Sequence, residues 1–115
     1  MKPGLIPFLP APDEAIHVGV MRLSLEVPGS RSLKDRRHGV RSVKDRLAAR
    51  FGAAVAEVGH LENHQRCVLA VTIVGNDAVV VRSRLDQMRA DVNNHPDVVL
   101  LDAYTDVEVW GGGNG

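Results

Sequence analysis

Eight residues from Cys67 to Val74 (CVLAVTIV) run almost without a polar side chain and contain no Gly or Pro. A run this short and this rich in β-branched residues predicts a central strand buried on much of both faces. It falls well below the ~18 consecutive apolar residues that a membrane helix needs. A strand of that kind requires neighbours at its edges and a layer over at least one face. The rest of the chain must supply them.

The neighbours are one-sided. Met21, Leu23, Leu25 and Val27 alternate with Arg22, Ser24 and Glu26, and Pro28-Gly29 ends the run. Ala54 to Gly59 reads as a short strand. Val99, Leu101, Ala103, Val107 and Val109 alternate with Asp102, Tyr104, Asp106 and Glu108, which predicts a long last strand with an acidic side. Two stretches change period. Leu33, Val40, Val43, Leu47 and Phe51 recur at helical spacing, with Ser32 and Asp35 resembling a capping box and Gly52 as the stop. Gly39 weakens this helix somewhat. Ala78, Val81, Leu85, Met88 and Val92 form a second stripe, capped by Asn76 or Asp77 and stopped by Asn93 to Pro96. Its early valines are poor helix formers, so that helix rests on the downstream spacing.

The order β-α-β-β-α-β is the split βαβ arrangement. Right-handed crossovers then put both helices on one face of the sheet. The predicted class is α+β: a ferredoxin-like βαββαβ sandwich with a four-stranded antiparallel sheet. Odd residues of the first strand are expected to face the helices. Val18, Val20, Arg22 and Ser24 are expected to line an outer face that has no cover and carries enough apolar surface to want one.

This single domain is expected over residues 16–110. Residues 1–15 hold four of the six prolines and read as an extended tail, and residues 111–115 read as a Gly-rich tail. The prolines interrupt the apolar patch of Leu5, Ile6, Phe8 and Leu9, so it is not read as a signal peptide. One Cys excludes an internal disulfide framework and a Cys-based zinc site. A reduced, cytoplasmic protein is expected. Aromatics make up 3% of the chain, which argues against a base-stacking RNA platform.

Three segments in this order, Ser32-Leu33-Lys34-Asp35-Arg36-Arg37, Val55-Ala56-Glu57-Val58-Gly59 and Asn76-Asp77, resemble the hallmarks of the YlxP-like family over about residues 17–110. The resemblance implies a ferredoxin-like fold in a bacterial group of uncharacterised function. Genes of that family often lie near translation and ribosome-maturation genes, so by association it implies a link to RNA or ribosomal particles. Members often carry an aromatic residue before the loop Gln. His64 precedes Gln65 here, so no stacking role is carried over to that position.

Net charge is zero, yet its distribution is uneven. Between residues 31 and 50, eight basic residues face only Asp35 and Asp45. At helical spacing Lys34, Arg37, Arg41 and Lys44 fall within about 80° of one another, on one flank of the apolar stripe. A row of that kind can follow a phosphate backbone, and it can equally be a solvated helix face whose side chains snorkel over the core. Arg36 falls inside the apolar stripe, where an unpaired guanidinium is untenable, and Glu57 is its expected partner in a structural ion pair.

His60, Glu62 and His64 have ligand chemistry, but alternate loop positions do not converge on a metal by themselves, and no metal site is assigned. Cys67 is expected to be an inert core thiol. Tyr104 and Trp110 lie on the polar side of the last strand, as a contact patch or as cover for the sheet. No P-loop, dinucleotide fingerprint or nucleophile elbow is present in the sequence, so no catalytic residue or cofactor is assigned and the protein is not expected to be an enzyme. Two functions follow as expectations. The first is a non-enzymatic RNA- or ribosome-associated module using the basic row. The second is a homo-oligomer, most simply a dimer, formed through the open sheet face or an edge strand.

Overall fold

A computed structural model describes residues 14–111. The tail expectations for residues 1–13 and 112–115 lie outside the described residues. The elements are β1 (Ile16–Glu26), α1 (Leu33–Phe51), β2 (Ala54–Gly59), β3 (Arg66–Gly75), α2 (Ala78–Asn93) and β4 (Val99–Trp110). Ala15, placed in the tail by the sequence reading, is buried.

Each helix starts where a side chain can take up orphan backbone donors. The Ser32 hydroxyl accepts from the Asp35 N–H at 3.1 Å, and the Asp35 carboxylate accepts from the Arg31 N–H at 3.2 Å. Gly52 closes α1 in the left-handed conformation at φ 66° and donates back to the Ala48 carbonyl. The Asp77 carboxylate accepts from Val79 and Val80, which starts α2 despite its valines.

The sheet order is β2-β3-β1-β4, with every neighbouring pair antiparallel. This is the ferredoxin-like α+β fold. Met21, Leu23 and Leu25 of β1 and Cys67, Leu69, Val71 and Ile73 of β3 meet Val40, Val43 and Leu47 of α1 and Val81, Leu85 and Met88 of α2 in one core. The helix α2 packs so closely that a Cβ at Gly19 would lie 2.7 Å from a Val81 methyl, and one at Gly75 would lie 2.9 Å from the other. Those two glycines form the notch that seats Val81.

The last strand departs from simple alternation. Pairing with β1 passes from Ser24↔Asp102 to Leu25↔Leu100, so Leu101 is an extra residue in a bulge. The phase therefore shifts. Leu100, Ala103 and Val107 pack on the core, while Val99 and Leu101, expected inside, are exposed, as is Val109. A second bulge makes Val58 the extra residue between Glu57↔Leu69 and Gly59↔Val68.

Candidate nucleic-acid interface

Helix α1 has three differently employed flanks. Arg36, Val40, Val43 and Leu47 are turned to the sheet and buried. The flank towards α2 is held by polar contacts. Arg46 donates to both Asp91 carboxylate oxygens at 2.7 and 3.0 Å, Arg50 donates to one of them at 3.1 Å, and Ser42 meets the His95 ring at 3.1 Å. The Arg46 hydrogen bonds hold the Asp91 carboxyl below its ordinary range, against the opposing effect of burial.

The third flank, turned away from α2, carries Lys34, Arg37, Arg41 and Lys44. Lys34, Arg37 and Arg41 are exposed, whereas Lys44 is half-buried. Among the described residues none of the four takes part in an ion pair. Lys34, Arg37 and Arg41, together with His38, surround an open groove of about 230 Å³. The sequence row is thus one continuous surface at its first three members and partly embedded at the fourth. His38 was not singled out by sequence reasoning, and its place about 40° from Lys34 on the helical wheel, one turn along the same flank, is the signal that could have found it.

Three of the eight local cations are therefore occupied elsewhere. Arg46 and Arg50 share Asp91. Arg36, only 4% exposed, pairs with Glu57 of β2. The Arg36 guanidinium also donates to the Arg66 carbonyl at 2.9 Å and to the His60 carbonyl at 3.1 Å. It ties the hairpin between β2 and β3 to the helix. His60 lies in the left-handed region at φ 59°, so that hairpin carries local backbone strain at its first loop residue.

The remaining candidates are placed as follows. His60, Glu62 and His64 are exposed in the hairpin loop, and among the described residues no group of three or more His, Cys, Asp or Glu is positioned to hold a metal ion. Cys67 is buried, and burial followed by the nearby Glu57 charge pushes its thiol up to about 11. It stays protonated at neutral pH and is a poor nucleophile. Tyr104 and Trp110 lie on the outer sheet face, along with Asp102, Asp106 and Glu108, on the layer opposite the basic flank. No described helix is long and apolar enough to cross a membrane.

Fold and surface together define the class: a ferredoxin-like α+β domain that, among the described residues, has one sheet face without cover and one basic helix flank without ion pairs. The chain belongs to the family described as "Protein of unknown function (DUF503)", which it matches over residues 18–105. No curated protein matches it in sequence. Among solved structures, the "De novo designed protein Foldit4" is similar over 83% of this chain and 96% of its own, at 9% identity and a TM-score of 0.45.

Proposed function

We propose that this chain is a small, cytoplasmic, non-enzymatic binding module that lays the outer flank of α1 along the phosphate backbone of RNA, in ribosomal particles or their precursors. The observation that carries this reading is the exposed cluster of Lys34, Arg37 and Arg41 around one groove, none of which takes part in an ion pair among the described residues. Phosphate contact requires placed positive charge and little else, so the reading calls for no cofactor. It also implies weak base preference. Phe51 is buried, and Tyr104 and Trp110 sit on the other layer, so among the described residues the groove has no aromatic surface for stacking. The resemblance to the YlxP-like family, whose genes neighbour those of translation, supports the same reading by association.

Filter binding to a mixed-sequence RNA across a salt series tests it. Lys34→Gln/Arg37→Gln/Arg41→Gln should weaken binding at least tenfold at low salt. It should also reduce the slope of log K against log salt by roughly two to three, since each phosphate-contacting cation contributes somewhat under one unit. The melting temperature should stay unchanged, because the three side chains are exposed. Equal affinity of the variant and the parent chain would overturn the proposal. In a gradient, the parent chain should co-migrate with ribosomal particles at low salt and leave them at high salt.

A further inference from the structure

Among the described residues nothing covers the face of the sheet away from the helices, and that face is divided. Val18, Val20 and Val74 lie on β1 and β3, with Val20 41% and Val74 66% exposed. On the β2 side the side chains are small. In register, Val20 pairs with Thr72 and Thr72 with Ala54, while the next row is Arg22, Ala70 and Ala56. The three alanines leave a shallow apolar depression of about 210 Å³, lined also by Val20 and Thr72. On the β4 side the same face is acidic, with Asp102, Asp106 and Glu108.

We infer that this depression is the docking site of the chain's own N-terminal segment, residues 1–13, with Phe8 as the side chain that fills it. The inference does not depend on the RNA reading, which concerns the opposite layer.

Four observations converge on this occupant. The first is composition: Leu5, Ile6, Phe8 and Leu9 make the segment apolar, and residues 1–12 contain no acid. The second is position. Ile16, the first residue of β1, has the parity of the outer face, and Val20 lies four residues along the same strand, about 13 Å away at strand rise. Phe8 lies eight positions before Ile16, and eight steps of about 3.1 Å in an extended proline-rich chain reach about 25 Å. That covers the distance along β1 and the step across to β3 and β2.

The third is the mode of contact that the prolines leave open. Pro3, Pro7, Pro10 and Pro12 lack N–H groups, so the segment is a poor fifth strand at either sheet edge and must bind through side chains lying on a face. The fourth is the disadvantage of the rival occupant. Two copies stacked face to face and centred on one another would set each acidic strip over its counterpart or over an apolar half, leaving Arg22 of that face to balance three carboxylates. The segment instead brings Lys2 and no carboxylate before Asp13.

Docked in this way, the segment covers the surface through which the domain would otherwise self-associate. Methyl-resolved NMR of the full chain tests the idea. The Ala54, Ala56 and Ala70 methyls should be displaced upfield by the ring current of Phe8. Phe8→Ala should return them to the positions seen in a chain beginning at Glu14. Ala56→Leu, which fills the depression, should abolish the displacement at Ala70 with the fold retained. The displacement should persist through a tenfold dilution. Methyl positions indifferent to Phe8→Ala would overturn the inference. Displacements that vanish on dilution would overturn it too, assigning the face to a second copy. Salt-dependent RNA binding should be the same for Phe8→Ala and the parent chain.

Discussion

Arg36 shows how far one residue can be read from sequence. A guanidinium on the apolar stripe of a helix demands a partner, because an unpaired buried charge costs several kcal/mol. Glu57 was the expected carboxylate, and the structure brings the two together. The carbonyls of Arg66 and His60, which complete the cradle, were not legible, since backbone acceptors leave no mark in the side-chain sequence. The pairing has an asymmetric consequence. Glu57→Ala leaves the guanidinium buried without its counter-charge and should cost about 3 kcal/mol, the bottom of the usual range because the Glu57 side chain is 23% exposed. Arg36→Met removes the buried charge and leaves a carboxylate that can reach water, so it should cost about 1 kcal/mol. Urea denaturation of the two variants reads the difference directly, and the reverse order would show that the guanidinium is not the group that needs the pair.

At the scale of elements, the legible features were those written in local chemistry. Ser32 and Gly52 mark the ends of α1, and the stripe Val81, Leu85, Met88 and Val92 marks the buried side of α2. The phase of β4 was legible at Ala103 and Val107 and illegible in its first three residues. A bulge inserts one residue without a composition signal, and Leu100 and Leu101 are equally apolar. The link between the helices was also hidden, because Asp91 looks like any exposed helix acid until α1 lies beside it. That link should be visible in the pH dependence of stability. The Asp91 carboxyl titrates below its unfolded value of 3.8, chiefly through its hydrogen bonds with Arg46. Its contribution is therefore complete above that value and is lost as pH falls through the lower folded value. Asp91→Asn should lower the melting temperature at neutral pH. Below pH 3.8 the variant and the parent chain should converge, and a gap of constant size in acid would exclude the Arg46–Asp91 contact as its source.

Across the whole molecule, the charge segregation seen in the sequence becomes an arrangement of layers. The basic groove lies on the helix layer, away from α2, and Asp102, Asp106 and Glu108 lie on the far face of the sheet. Packed layers of secondary structure lie about 10 Å apart, and the two charge clusters point outward from opposite layers, so more than about 10 Å separates them. That separation determines how the acidic strip acts on a polyanion bound at α1. The Debye length is about 8 Å at physiological ionic strength and about 30 Å at 0.01 M. Replacing Asp102, Asp106 and Glu108 with Asn, Asn and Gln should leave RNA affinity unchanged at physiological salt, where the strip is screened. The same variant should bind more tightly at about 0.01 M, where long-range repulsion from the strip reaches the ligand. The Lys34/Arg37/Arg41 variant differs in kind, because it removes the contacts themselves and should be weaker under both conditions. Filter binding of both variants at the two salt concentrations separates the cases. An acidic-strip variant that changes affinity equally at both would place the RNA in contact with the sheet face rather than with α1.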